Sequence, residues 1–261
     1  MKIYLSFQGI LFLLVTSIIY SNNCTGSVEP PFTGTIFIAP DIITKNDPTS
    51  FTHIKFSGKK SRIMFDRRVD DWIESSPLIF LAYYDDGYSV EVQVNPEFES
   101  SEISLEIAKK YATIIGRIPN SLRANVETVW IHRGMKPFGG GNNNLLIHTD
   151  WSEEHYESQG ILEEAFIHEA AHTSLDELYS NDLEWKNAQR VDCQFISFYA
   201  LENSLREDVA ESYLAYFAVR YASKRISKKM INTIENTMPE RIKFFDKQKQ
   251  NIYPFISSSN D

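Results

Sequence analysis

Within the 261-residue sequence, the five residues His168-Glu169-Ala170-Ala171-His172 form the pattern H-E-x-x-H, preceded by the apolar run Ala165-Phe166-Ile167. On a helix, residues four apart project from the same side, so both imidazoles can approach one metal ion at about 2.0–2.1 Å. Glu169 sits one step round, where it can meet a water activated by that metal. With 6 histidines in the chain, a shuffled sequence would carry this pattern with an expected count of roughly 0.01, so an accident is an unattractive explanation.

A catalytic zinc site needs a third protein ligand and one position left open for water. Asp176 lies eight residues beyond His168, about 12 Å along a helix axis, too far to share a metal with it; it falls near the helix C-terminus or in the loop after it. The positions that carry the glycine and third histidine of the metzincin arrangement are Leu175 and Leu178, which excludes that class. The remaining candidates are Glu207 and Glu211, four apart in a later helical stretch whose apolar residues recur at Val209, Tyr213, Tyr216 and Phe217. One can ligate zinc while the other accepts the second N–H of a ligating histidine, fixing its tautomer.

Several elements must position these groups. From Gly34 to Asn95 the chain is rich in aromatic and β-branched residues, including the run Gly34 to Ile38; Leu78 to Tyr84 and Tyr88 to Val94 flank the turn signal Asp85-Asp86-Gly87 and read as a hairpin. Ser101 to Arg117 switches to a helical period, with Ile103, Ile107, Tyr111, Ile114 and Ile115 on one face and Pro119 beyond its end. Val126 to His132 and Leu145 to His148 read as short strands, and Gly139 to Asn144 as a polar loop between them. Helices are expected near 161–176, 189–201 and 203–222, followed by a basic segment, Lys224 to Lys229, that reads as a solvated helical face. Strands first and helices afterwards give an α+β layout with a small mixed sheet.

At the N-terminus, Met1-Lys2, the apolar run Ile3 to Tyr20 and the polar exit Ser21-Asn22-Asn23 read as a signal peptide over residues 1–21, with an uncleaved anchor as the lesser alternative. Exported in this way, the protein is expected to leave the membrane and be soluble. Cys24 and Cys193 are the only thiols and allow at most one bridge; Asn23-Cys24-Thr25 fits the glycosylation acceptor pattern. Against 35 Asp and Glu stand 26 Lys and Arg, a balance that argues against nucleic-acid binding, which needs a basic surface.

His168-Glu169-x-x-His172 followed by Glu207-x-x-Ala210-Glu211 resembles the gluzincins, the thermolysin-like metallopeptidases, and in particular their anthrax lethal factor-like branch and related secreted zincins. The likeness covers residues 160–222. A zincin also needs an upstream helix and a small sheet, which 101–148 can supply; with no linker to divide it, the chain reads as one zincin-like domain over 22–261, with a β-rich part at 22–100 outside the likeness, a catalytic core at 101–222 and a helical extension at 223–261. The likeness further implies His168, His172 and Glu207 as ligands of one zinc ion, Glu211 as support for a histidine, and Glu169 as the general base. Tyr199 is similar to the tyrosine that this branch directs at the reaction centre, although it stands one residue further from Glu207. Substrate peptide would lie antiparallel to an edge strand, for which Leu145, Leu146 and Ile147 are the candidates. The expected function is a secreted zinc metallopeptidase; the alternatives are a zinc-binding protein of the same fold without activity, and a structural domain in which the motif is accidental. His148 reads as a structural histidine.

Overall fold

A computed structural model describes residues 28–98 and 100–256, so the expected signal peptide, Asn23 and Cys24 lie outside the described residues. Five strands come first: β1 (Phe51–Lys59), β2 (Arg62–Asp66), β3 (Asp71–Ser75), β4 (Leu78–Tyr84) and β5 (Ser89–Val94). Helices α1 (Ser101–Ile115) and α2 (Asn120–Arg123) lead to β6 (Thr128–His132), β7 (Gly139–Gly141) and β8 (Asn144–His148). The rest is helical: α3 (Thr149–Trp151), which runs into a π-helical turn over Ser152–Glu157, then α4 (Leu162–Tyr179), α5 (Leu183–Asp192), α6 (Phe198–Glu202), α7 (Asp208–Arg220), α8 (Lys228–Thr237) and α9 (Pro239–Lys247). The fold is α+β, with a mixed six-stranded sheet followed by helices.

The sheet runs β1-β4-β5-β6-β8-β7. The β4–β5 hairpin forms as its turn signal predicts, with Gly87 at φ +89 supplying the left-handed residue and Val90, Val92 and Val94 buried on one face. Ser100 caps α1 by accepting from the Ile103 amide at 3.1 Å, and the buried stripe of α1 runs through Ala108, Tyr111, Ala112 and Ile115, while Ile103 stays exposed. That helix carries the chain over the sheet from β5 to the parallel strand β6, and β8 then adds in parallel to β6.

The segment read as a loop, Gly139 to Asn144, is a strand and a turn. Asn142 and Asn143 both have positive φ, at 50 and 56, which makes them the two-residue turn of a β7–β8 hairpin with Gly141 opposite Asn144. Strand β7 is the sheet edge, and at Gly140 it must be glycine. A Cβ on Gly140 would lie 1.9 Å from the Glu169 carbonyl oxygen and one on Gly139 would lie 2.8 Å from the Arg67 guanidinium. The missing side chain at Gly140 is therefore what lets α4 lie against the edge strand, where Gly141 N–H donates to the Thr173 hydroxyl at 2.9 Å.

Four other expectations change. Gly34 to Ile38 is not a strand; Thr35–Phe37 is a single 3-10 turn, with the Thr35 amide donating to Glu211 and the Ile38 amide to the Thr35 carbonyl. The 189–201 helix is two helices, since Cys193 turns left-handed at φ 58 and ends α5 before Ser197 caps α6. The 203–222 helix begins only at Asp208. Within Lys224 to Lys229 the chain makes a 3-10 turn and Ser227 caps α8, while Arg225 forms a two-pronged ion pair with Asp47, both contacts at 2.6 Å.

The segment 28–43 is held as a strap across the helical half. Ile42 and Ile43 N–H both donate to one oxygen of Glu164, at 2.7 and 3.2 Å, whose other oxygen is buried without a partner. On the far side, Arg241, fully buried, joins Asp192 at 3.0 Å and Asp208 at 2.9 Å, fixing the start of α7. Cys193 is disulfide-bonded. Among the described residues no helix is long and apolar enough to cross a membrane.

Two outcomes are expected. Gly140→Ala should destabilise the protein by about 1–3 kcal/mol through overpacking, read as a lowered thermal midpoint; an unchanged midpoint would contradict the close approach. Burial pushes the Glu164 carboxyl up from 4.5 to about 8. A raised folded-state value contributes stability below the unfolded value of 4.5 that is lost as pH rises through about 8. Urea unfolding should therefore show Glu164→Gln gaining on the parent across that window, by about 1 kcal/mol or more at pH 9; a constant difference would contradict it.

Candidate metal centre

Helix α4 carries the motif on its most buried stretch, so His168 and His172 are each only 7% exposed. Their Nε2 atoms lie 3.1 Å apart. Glu207, the residue that precedes α7, brings Oε2 to 3.0 Å from His172 Nε2 and 3.4 Å from His168 Nε2. Ligands at about 2.0–2.1 Å from a tetrahedral ion stand about 3.3 Å from one another, and these three separations cluster around that value.

The remaining ring nitrogens point outward to carboxylates. His172 Nδ1 lies 2.7 Å from Asp176 Oδ2, and His168 Nδ1 lies 3.3 Å from Glu211 Oε1. The second contact is poorly directed as a hydrogen bond and leaves that nitrogen otherwise without a partner, so attraction to the Glu211 carboxylate is what orients the ring. With Nδ1 protonated toward a carboxylate in each case, both Nε2 lone pairs face Glu207. Three electron-rich atoms then converge in a buried space, an arrangement that a cation completes and that repels itself without one. The donor set of two imidazoles and one carboxylate suits zinc.

The same preference for positive charge shows in the titration of these groups. Burial lowers the His172 pKa, but hydrogen bonds to Asp176 and Glu207 outweigh it and carry the ring to about 9. Burial likewise opposes and the Glu207 and Glu211 carboxylates overcome, so His168 rises well above 6.5. Glu207 is pushed up by burial and pulled further down by the two imidazoles, ending well below the usual carboxylate range.

Glu211 reaches beyond the ring that it orients. Its Oε2 accepts from the Thr35 amide at 2.8 Å and from the Ser197 hydroxyl. The strap also accepts from α6, Tyr199 N–H donating to Thr33 carbonyl at 3.1 Å. Tyr199 is thus brought to the site despite its extra residue of spacing, which the turn between α6 and α7 absorbs. Its ring stacks 6.4 Å from that of His168, and burial together with Glu207 pushes its hydroxyl up to about 12, keeping it a proton donor. Glu169 lines the same cleft, of about 360 Å3, and among the described residues its carboxylate has neither hydrogen bond nor ion pair.

The structure thus brings together His168, His172, Glu207, Glu211, Glu169 and Tyr199. It does not bring Leu145, Leu146 and Ile147 to an edge: they lie in β8, an inner strand, with Leu145 and Leu146 paired to both β6 and β7, and all three are buried. The side-chain-free strand β7 takes that place. His148 is fully buried 4.0 Å from Asp66, and burial, with His132 beside it, pushes it down to about 4; it does not line the cleft. Of the outer contacts, sequence reasoning gave Glu211 as support for a histidine and missed the others. Asp176 stands four residues after His172, a visible helical spacing, whereas the Thr35 amide and Ser197 carry no signal in the sequence.

Comparison of the chain with protein-family models, curated proteins and solved structures gave no match.

The two glutamates should separate in metal retention. Glu207→Ala is expected to abolish zinc retention through gel filtration, whereas Glu211→Ala and Asp176→Ala should weaken zinc about 10–100-fold in competition with a chromophoric chelator. A Glu211→Ala protein as metal-free as Glu207→Ala would contradict the division of roles.

Proposed function

We propose that this protein is a zinc-dependent peptidase of the gluzincin kind, with a zincin-like catalytic core, acting outside the cell after removal of its signal peptide. The observation that carries the reading is the unpartnered Glu169 carboxylate in the cleft, next to the three-donor centre. A purely structural metal site has no use for that group.

His168, His172 and Glu207 would hold the ion, which when bound supplies a Lewis acid that acidifies water and polarises a carbonyl. Glu169 takes the proton of the attacking water and passes it to the departing amine nitrogen. The Tyr199 hydroxyl donates a hydrogen bond to the carbonyl oxygen as negative charge gathers there. Glu211 and Asp176 keep both imidazoles in the ligating tautomer. Among the described residues strand β7 pairs only with β8, so its outer edge suits capture of an extended peptide by strand addition.

The test is hydrolysis of an unfolded casein by the zinc-loaded chain, with a chelator control. Glu169→Gln should retain one zinc per chain and lose about 10²–10⁴-fold in rate. Zinc bound at full stoichiometry with no hydrolysis by the parent would instead assign a silent zinc-binding protein, and undiminished hydrolysis in Glu169→Gln would remove this mechanism.

A further inference from the structure

Beside the cleft, over the face of β7, β8 and β6 that the β2–β3 hairpin covers, lies a groove whose lining among the described residues holds Arg67, Arg206, Phe65, Trp72 and Trp130 and no Asp or Glu. That is notable in a protein of net charge −9. Two adjacent arginines at the tip of the β2–β3 hairpin are treated differently. Arg68 is tied by both prongs to Asp66 and by a 2.6 Å contact to Glu97, whereas among the described residues the Arg67 side chain hydrogen-bonds only the Pro137 carbonyl, at 3.3 Å. The Gly139 position leaves room for the Arg67 guanidinium against β7. Arg206 stands across from it with its side chain 67% exposed and a loose 3.5 Å contact to Glu207. Both arginines line the catalytic cleft as well as the groove.

Next to this pair of cations the aromatic side chains make a box. Trp72 meets Trp130 edge-on at 5.4 Å and Phe65 at 5.6 Å, and Trp72 remains 52% exposed. A strand added to β7 presents alternate side chains to opposite faces. Gly139, Leu146 and Trp130 are in register across β7, β8 and β6, and Arg67 lies against Gly139 on that same face, so one set of the added strand's side chains would meet both the aromatic box and the Arg67 guanidinium.

Resting on the peptidase reading above, we propose that the protein selects substrates carrying an acidic residue close to the scissile bond, bound by Arg67 and Arg206, with a large apolar residue seated against Trp72 and Trp130. Guanidinium groups recognise carboxylates through paired charge-assisted hydrogen bonds, and the one carboxylate contact either arginine makes among the described residues is the loose one from Arg206 to Glu207. The surrounding acidity of the protein repels acidic peptides elsewhere, which sharpens the preference for this groove.

The zinc-loaded full chain is incubated with a proteome-derived peptide library and the cleavage sites are read by mass spectrometry. Asp and Glu are expected at one position within four residues of the cut at about fivefold their library frequency, the effect of a solvent-exposed ion pair. Arg67→Gln should bring that enrichment near background at unchanged zinc stoichiometry, and Arg67→Lys, which keeps the charge, should retain most of it. Cleavage without acidic enrichment, or enrichment untouched in both Arg67→Gln and Arg206→Gln, overturns the proposal and leaves the peptidase reading standing. If the parent cuts nothing, the peptidase reading fails, and fluorescence anisotropy decides the groove. Two labelled decapeptides differing only in Glu against Gln should then bind about fivefold apart, Glu the tighter; equal binding overturns the proposal.

Discussion

Two imidazole nitrogens and a carboxylate oxygen, held within 3.0–3.4 Å of one another in a space that water barely reaches, are at odds with electrostatics unless positive charge lies between them. Everything around them enforces that convergence. Asp176 and Glu211 turn the rings so that lone pairs face inward, and each of those carboxylates is itself placed by a different part of the chain. Asp176 comes from the same helix as the ring it serves. Glu211 comes from α7 and is pinned by the strap and by the cap of α6.

The fold supplies rigidity where the centre needs it. Strand β7 carries no side chain at Gly140, so the α4 backbone can lie directly against it, fixing the helix that bears both histidines. The fully buried Arg241 with Asp192 and Asp208 holds the start of α7, one residue from Glu207. Removing one member would leave a buried charge unpaired, a costly outcome, so the three restrain each other as a unit. The strap meanwhile ties the N-terminal side of the chain to Glu211, Tyr199 and α4, so the outer shell of the centre and one wall of the cleft depend on the same segment.

Most of this centre was legible before any coordinates, because helical spacing turns sequence distance into spatial distance. His168 and His172, Glu207 and Glu211, and even Asp176 after His172 obey the same four-residue rule. The α+β order was legible for a similar reason, since the period of the apolar pattern changes near Ser101. The second hairpin was not. A run of three glycines and three asparagines reads as a loop until Asn142 and Asn143 adopt positive φ and close a hairpin, and the apolar Leu145 to Ile147 then becomes an inner strand. Long-range backbone partners were equally silent: nothing about Thr35 announces that its amide serves a glutamate in α7.

The most direct test of the central claim is zinc K-edge X-ray absorption on the zinc-reconstituted protein, because it reports which atoms surround the ion. The account predicts a four-coordinate shell of nitrogen and oxygen at about 2.0–2.1 Å with the outer scattering of two imidazoles and no sulfur. A shell of oxygen alone, a sulfur ligand, or a protein that takes up no zinc would contradict it.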